Sequence, residues 1–417
     1  MINFFVMRPV RKFFFTFFIF HGLLLTVQAQ AKKPKPGAVN LQPKPQVVTE
    51  LPNPYAEIDK KALLIPDSLT KSTDAIAAYI KANFHLNQDK VRAAFIWVAS
   101  NIRYDVTNMY AINYYEKLED KIAKPLQFRK GICENYAALF TDICQKSGIS
   151  AFVINGYVKL NNQLSNLSHA WSVAQIDTTW YLFDPTWASG YVNNGEFFPK
   201  INNTFFETSP SNFIKDHMPF DCLWQLLYHP VSFTEFNNGR VAENLNGLYF
   251  NYPDSIILYE KQTQAEREKA SYTRIDNNGP KNGQVFNWLE FLRQKIEQTK
   301  VNQYNTAVAE FNDGIANFNE FIRYRNKQFS PMRPDPEIQA MLDSASGPFN
   351  MAKVKLKHIV DPGPNIQGEM NTLGKQMNAF SDQLEEQEVW LAKYFAKSKS
   401  GRKGMFTKVT WFGIPVN

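Results

Sequence analysis

The sequence predicts an α+β core, helices packed on an antiparallel sheet, followed by an all-α antiparallel hairpin or bundle. Three patterns carry that prediction. Apolar residues recur at helical spacing over 75–82 and 89–102, where Val91, Phe95, Val98 and Ile102 step by 4, 3 and 4. Residues 151–160, 168–176 and 179–186 are rich in aromatic and β-branched side chains and are parted by Asn-rich or Asp-Thr turns, the pattern of a strand meander. Beyond residue 283, two long stretches carry narrow apolar seams stepping by 4, 3, 4, 3, 4: Tyr304, Val308, Phe311, Ile315, Phe318 and Ile322, then Ile366, Met370, Leu373, Met377, Phe380 and Leu384.

In chain order, residues 1–29 have the three-part layout of a secretory signal peptide. Basic Arg8, Arg11 and Lys12 precede an apolar run of 15 residues over 13–27, and small residues follow around Ala29 and Ala31. The run is broken by His21 and Gly22 and falls short of the ~20 residues that a membrane-spanning helix needs. Cleavage after Ala29 or Ala31 is therefore expected, giving a periplasmic or secreted mature chain with no stable membrane span. Residues 30–60 hold six prolines and scattered lysines, an extended linker.

The formal net charge of +7 invites a nucleic-acid reading, which the distribution of charge removes. Arg8, Arg11, Lys12, Lys32, Lys33, Lys35 and Lys44 all fall in the first 44 residues, where there is no Asp or Glu. Subtracting those seven from 46 basic residues leaves 39, equal to the 39 acidic ones, so the folded part is neutral. A basic groove able to neutralise a phosphate backbone has no support, and nucleic acid is excluded as a partner.

The first globular domain is expected over 61–230, a connecting region over 231–282, a helical domain over 283–400 and a tail over 401–417 that supplies a terminal strand. Ser72-Thr73-Asp74 offers a helix cap before the first apolar stripe, and Trp97 and Tyr104 flank the second. Residues 133–146 form a helix closed by Gly148 as a left-handed cap. Between the two long seams a shorter helix over 336–359, interrupted at Gly347-Pro348, is expected, with Pro331, Pro334, Pro336 and Pro362 marking the connections. The seams suit either an intramolecular hairpin or an interface for a protein partner or oligomer, and their similar length and closeness in the chain favour the first.

Three cysteines are an odd number in a disulfide-permissive compartment, so at least one thiol is free or pairs outside the chain. On one helix Cys133 and Cys144 lie about 16 Å apart, beyond the ~7 Å that a disulfide allows between α-carbons. Cys222 is either a buried inert thiol, the simpler reading, or a partner for Cys144.

Cys133 sits at a helix start, where unpaired backbone N–H groups and the helix dipole favour a thiolate. His169 lies in a run of strand character and Asp184 at the end of the next. Singly, each has a bland reading: a packing thiol, a satisfied strand histidine, a turn aspartate before proline. Register changes the weighing. With Asp177-Thr178 as a two-residue loop, Ile176 pairs with Thr179, Trp171 falls opposite Asp184, and His169 becomes the diagonal neighbour of Asp184 on the same face. A three-residue loop without a bulge would put them on opposite faces.

The segment Gly131-Ile132-Cys133-Glu134-Asn135-Tyr136-Ala137, then His169-Ala170-Trp171, then Trp180-Tyr181-Leu182-Phe183-Asp184-Pro185-Thr186-Trp187 resembles the core of transglutaminase-like proteins. Phe95-Ile96-Trp97 and Ile102-Arg103-Tyr104-Asp105 resemble that core's leading helix. The likeness covers residues 61–230 and includes the kyphoscoliosis-peptidase group and bacterial exported relatives. It implies a papain-like fold with Cys133 as nucleophile, His169 as general base and acid, and Asp184 orienting the imidazole. It further implies thiolate attack on an amide of a peptide or protein, cell-envelope peptides among the candidates, with a thioester resolved by water or an amine. The rival reading is a non-catalytic envelope scaffold that uses the old fold and the helical domain for interactions.

The Cys133 N–H is the natural first oxyanion donor. Gln127 and Trp97 are candidates for the second, although Gln127 reads more simply as a loop residue and Trp97 as core. Trp171, Trp187 and Tyr157 either line a cleft or, more simply, fill the core. His217 and His229 make no metal set with a nearby Cys or carboxylate at recognised spacing, so neither a metal nor an organic cofactor is expected.

Overall fold

The computed structural model describes residues 53–406 apart from Glu243, together with two short strands at 408–409 and 415–416. The predicted signal segment and most of the predicted linker lie outside the described residues. The described chain forms two units, one ending at Arg293 and one beginning at Gln294.

In the first unit, helices α1 (Ala56–Ala62), α2 (Thr73–Asn83) and α3 (Asn87–Asn101) lead into β1 (Arg103–Tyr104). Then α4 (Leu118–Phe128) and β2 (Lys130–Gly131), which pairs in parallel with β1, bring the chain to α5 (Cys133–Lys146). A meander of β3 (Ala151–Leu160), β4 (Gln163–Ile176) and β5 (Thr179–Phe183) follows, then α6 (Pro185–Ser189), the hairpin β6 (Gly190–Asn193) and β7 (Glu196–Pro199), α7 (Pro210–Phe213) and β8 (His217–Pro219). The main sheet is antiparallel in the order β5-β4-β3-β8. The fold is thus the helices-on-antiparallel-sheet architecture that the alternation of periods predicts.

Strand alternation gives the sheet two different faces. One carries Ala151, Ala174, Ile176 and Phe183, buried with Phe95 of α3 and Phe140 of α5. The other carries Ile154, Trp171, Val173 and Leu182, buried with Phe213, Leu223 and Trp224. Helix α3 is more deeply buried than its stripe implies, since every residue from Val91 to Ala99 is inaccessible. Ser72 caps α2 as expected, its Oγ accepting the Ala75 N–H at 3.2 Å.

The expected linker boundary at residue 60 is corrected by α1, which begins at Ala56 and docks through an ion pair. Arg92 of α3 is fully buried, and its Nε and Nη2 donate to the two carboxylate oxygens of Asp59 at 2.6 and 2.7 Å. Asn203 Oδ1 takes a further Nη2 bond at 2.9 Å, and the rings of Tyr55 and Phe206 lie 4.6 and 4.8 Å from the guanidinium. Asp59→Ala should therefore lower the unfolding free energy by about 2–3 kcal/mol, less than a wholly enclosed pair because Asn203 and the rings remain. Urea unfolding of the full chain checks this. A loss under 1 kcal/mol, on the order of a surface pair, would show that α1 is not anchored this way.

Residues 231–282, expected as a connection, form α8 (Phe233–Asn237), α9 (Tyr252–Lys261) and α10 (Gln264–Asn277). With the first turns of α11 (Gly283–Asn326) they pack into the first unit. Phe233, Phe236, Ile275 and Val285 are buried with Tyr157 and Phe220.

The second unit contains the rest of α11, α12 (Asp335–Lys357), α13 (Pro364–Phe395) and α14 (Lys399–Lys403). The seams meet each other: Val308, Phe311, Ile315 and Phe318 are buried with Leu373, Met377, Phe380 and Leu384, and Leu342 and Phe349 of α12 join them. The seams thus pack within the chain. The break expected at Gly347-Pro348 does not occur, and α12 runs through Pro348. A proline leaves the carbonyl four residues back without its helical donor. Here that carbonyl, on Ser344, accepts the Asn317 amide of α11 at 2.8 Å. Past α14, short strands β9 (Lys408–Val409) and β10 (Pro415–Val416) pair antiparallel where one terminal strand was expected. Among the described residues no helix is long and apolar enough to cross a membrane.

Candidate active site

Ile132 is extended, so α5 starts at Cys133. Asn135 locks that start: its Oδ1 accepts the Ile132 N–H at 2.9 Å and its Nδ2 donates to the Lys121 carbonyl at 3.0 Å. A Cβ on Gly131 would lie 2.8 Å from the Asn135 Cβ, so the turn into the helix needs the glycine. The first N–H groups of a helix have no intrahelical acceptor, and Cys133 is the first residue of α5. Glu134, next in the chain, is buried, holding Lys121 Nζ at 2.7 Å and the Asn113 N–H at 3.1 Å.

The β4–β5 register runs Ile176↔Thr179 to Ser172↔Phe183, the register that a two-residue loop demands. Asp177 takes φ +56°, the left-handed conformation a tight hairpin needs. The predicted strand over 179–186 ends earlier, at Phe183, because Pro185 opens α6 and Asp184 becomes that helix's N-cap. Asp184 Oδ1 accepts the Thr186 and Trp187 N–H groups at 2.8 and 3.1 Å, which fixes the carboxylate plane. Its Oδ2 lies 2.8 Å from His169 Nε2. The other ring nitrogen, Nδ1, is left for the thiol, and His169 and Cys133 line the same small buried space.

Burial disfavours charge on His169, yet the Asp184 carboxylate and the Cys133 contact hold its pKa up to about 10. Burial likewise opposes ionisation of Asp184, but the two imidazoles beside it keep the carboxyl well below the usual carboxylate range. The fold thus brings Cys133, His169 and Asp184 together, in the order sulfur, ring, carboxylate.

The family model described as the transglutaminase-like superfamily matches residues 74–185, which contain all three side chains. Residues 74–185 are a transglutaminase-like domain. The chain is also similar to the kyphoscoliosis peptidase of Homo sapiens, 31% identical over 196 residues that make up 44% of this chain and 29% of that protein. The Mus musculus kyphoscoliosis peptidase is 33% identical over 185 residues, 42% of this chain and 28% of that one. Hillarin of Drosophila melanogaster is 24% identical over 241 residues, 52% and 28% of the two chains. The chain spans less than a third of the length of these relatives. A solved structure described as a TGase matches at 18% identity over 39% of this chain and 40% of that one, with a TM-score of 0.23, too low to support an argument.

Sequence reasoning missed one residue of the site. His217, set aside as part of no cluster, lies on β8 at the sheet edge, and its Nε2 is 3.1 Å from Asp184 Oδ2. The transglutaminase-like domain admits β8 through Gly156, where a Cβ would stand 2.2 Å from the Met218 carbonyl oxygen and 2.4 Å from Trp171 Cη2. Gly156 inside a strand was the one available signal, since it marks close approach of another backbone.

Other candidates fall elsewhere. Trp171 and Tyr157 are fully buried core residues, whereas Trp187 stands beside the site with its ring 5.5 Å from that of His169. Trp97 is core, with Arg129 over its ring, and Gln127 is an exposed residue inside α4 rather than in a loop. All three cysteines are free, so Cys144 and Cys222 do not pair. Burial raises both of those thiols, Cys222 to about 12.

Proposed function

We propose that this chain is a cysteine-dependent acyl-transfer enzyme acting on amide bonds of peptides or proteins, a peptidase or transglutaminase-like acyltransferase. The observation that carries the reading is the His169 ring, bonded to Asp184 through Nε2, which leaves Nδ1 for Cys133 in the small space that both residues line. In this reading Nδ1 takes the thiol proton and the sulfur attacks the amide carbonyl carbon. The C–N bond then breaks, the amine leaves with the proton from His169, and a thioester remains. Water or a second amine attacks that thioester, its proton passes to His169, and the C–S bond breaks to restore the thiol. The Cys133 N–H at the start of α5 supplies one oxyanion donor. The tripartite N-terminus supports export, so we place this activity in the periplasm or outside the cell.

The second reading is a non-catalytic envelope scaffold, and one observation favours it. Cys133 and His169 are only 4% and 8% exposed, and the space between Cys133, His169, Ile112 and Tyr114 has no room for a water molecule. Iodoacetamide labelling at about pH 6, followed by peptide mapping, separates the two, because only an activated thiolate reacts well below the ordinary thiol pKa of about 8.5. The enzyme reading expects selective modification of Cys133 over Cys144 and Cys222, abolished by His169→Ala. Equal or absent labelling of the three would favour the scaffold.

A further inference from the structure

We propose that His217 is a positioning residue of this site: it donates a second imidazole N–H to Asp184 Oδ2, the oxygen that also holds His169, and so sets the orientation of the imidazole that addresses Cys133. The inference rests on the catalytic reading above and extends it from three side chains to four.

Asp184 is fully buried and accepts four hydrogen bonds. Two backbone N–H groups take Oδ1, and the two imidazoles share Oδ2, His169 at 2.8 Å and His217 at 3.1 Å. A carboxylate only accepts, so each Nε2 donates its N–H. Without His217, one oxygen would be pinned by the α6 cap and the other by the very ring it has to orient. With it, Oδ2 has a second anchor independent of His169.

His217 is itself over-determined, as a positioning group must be. Its ring is completely buried, and Nδ1 lies 2.5 Å from Asp216 Oδ1, so both nitrogens are fixed. Phe213 and Trp187 flank the ring at centroid distances of 4.0 and 4.4 Å, with Trp171 at 5.2 Å. The charged and titratable groups around this assembly are Asp184 at the α6 cap, His169 on β4, Asp216 just before β8, Cys133 beyond His169, and Tyr104 and Tyr136, which sense the Asp184 charge. A buried histidine needed only to fill space would not require a carboxylate at each nitrogen.

The test uses the full chain with His217→Phe, which fills the aromatic box but donates nothing, and His217→Gln, whose amide can still donate to Asp184. Cys133 alkylation by iodoacetamide is timed at about pH 6, where reactivity depends on His169, and at about pH 10, where a thiol ionises without help. The Phe variant should lose about tenfold at the lower pH and change little at the higher, while the Gln variant stays within about threefold of the parent chain. Nitrogen-edited NMR of the histidine rings gives a readout independent of thiol chemistry: the His169 Nε2–H resonance should be displaced or broadened in Phe and kept in Gln. Equal rates for Phe and parent at the lower pH, or a Gln variant as slow as Phe while equally folded, would overturn the proposal. If the parent chain shows no acid-range labelling at all, the catalytic reading fails, and the NMR comparison alone decides whether His217 orients His169. Should the Phe variant not fold, His217→Asn, too short to reach Asp184, replaces it with the same expectations.

Discussion

Asp184→Ala is expected to remove acid-range labelling of Cys133 and to lower the unfolding free energy by about 3–5 kcal/mol, the cost of breaking a buried charge network by deleting one partner. The size follows from what is orphaned. Two imidazole N–H groups and the Thr186 and Trp187 N–H groups would lose their acceptors in a place that water does not reach. Asp184→Asn separates the two effects. Its carbonyl can still cap α6, so most of the fold should survive, but its amide meets the ring N–H with another donor. Labelling at about pH 6 should then fall by about 10³ or more, as expected when the ring loses the acceptor that fixes its tautomer. An Asn variant that labels like the parent chain would mean that the carboxylate serves only as a helix cap.

The same pair predicts a pH dependence of stability, with signs set by the two shifts. His169 is raised to about 10, so its contribution is full below its unfolded value near 6.5 and is lost as pH climbs through about 10. Asp184 is lowered, so its contribution is present above about 3.9 and is lost as pH falls towards its folded value. Stability from the pair is therefore greatest between about pH 4 and pH 6.5. The parent chain should weaken between about pH 6.5 and pH 10 by several times more than Asp184→Asn does, measured by urea unfolding at each pH. Parallel curves would show that the pair is not ionised in the folded protein.

Much of this site is legible in the chain because it is built from local rules. The helix that Cys133 opens and Gly148 closes follows from local signals, and the facing of His169 and Asp184 follows from a two-residue loop, since side chains alternate with a period of two. The helical seams are equally local, and they place Phe311, Phe318 and Phe380 in one core. What escaped was long-range or subtle. His217 reaches Asp184 across 33 residues by way of a three-residue strand, too short to announce itself by periodicity. The continuity of α12 through Pro348 depends on an amide from another helix, which no local propensity can reveal. Docking of α1 was hidden because Asp59 and Arg92 look like ordinary surface charges until packing buries them together.

The enclosure of Cys133 makes the last prediction. The chain between β1 and α4 crosses the site, and Tyr114 lies over it beside Ser168, its pKa pushed up to about 12 by burial. What holds Tyr114 down is aromatic: Trp288 of α11 stands 4.9 Å away edge-on, Phe291 5.5 Å away, and Trp288 in turn stacks on Phe220 at 5.5 Å. Besides these rings the segment is held by the Asn113 N–H on Glu134 and by ion pairs of Asp105 with Lys130 and of Glu116 with Lys124, and local opening costs only the contacts it breaks. Trp288→Ala, which deletes the central ring of a half-buried cluster, should cut that cost by about 2 kcal/mol and raise the rate of Cys133 alkylation roughly thirtyfold at fixed pH. The pH profile should keep its shape, because His169 and Asp184 are untouched. Acceleration with an unchanged profile would identify 105–117 as the segment that a substrate must displace. An unaltered rate would mean that access to the sulfur comes from another side, with Asn155 and the roughly 160 Å³ cavity beside Glu134 and Lys121 as the remaining approach.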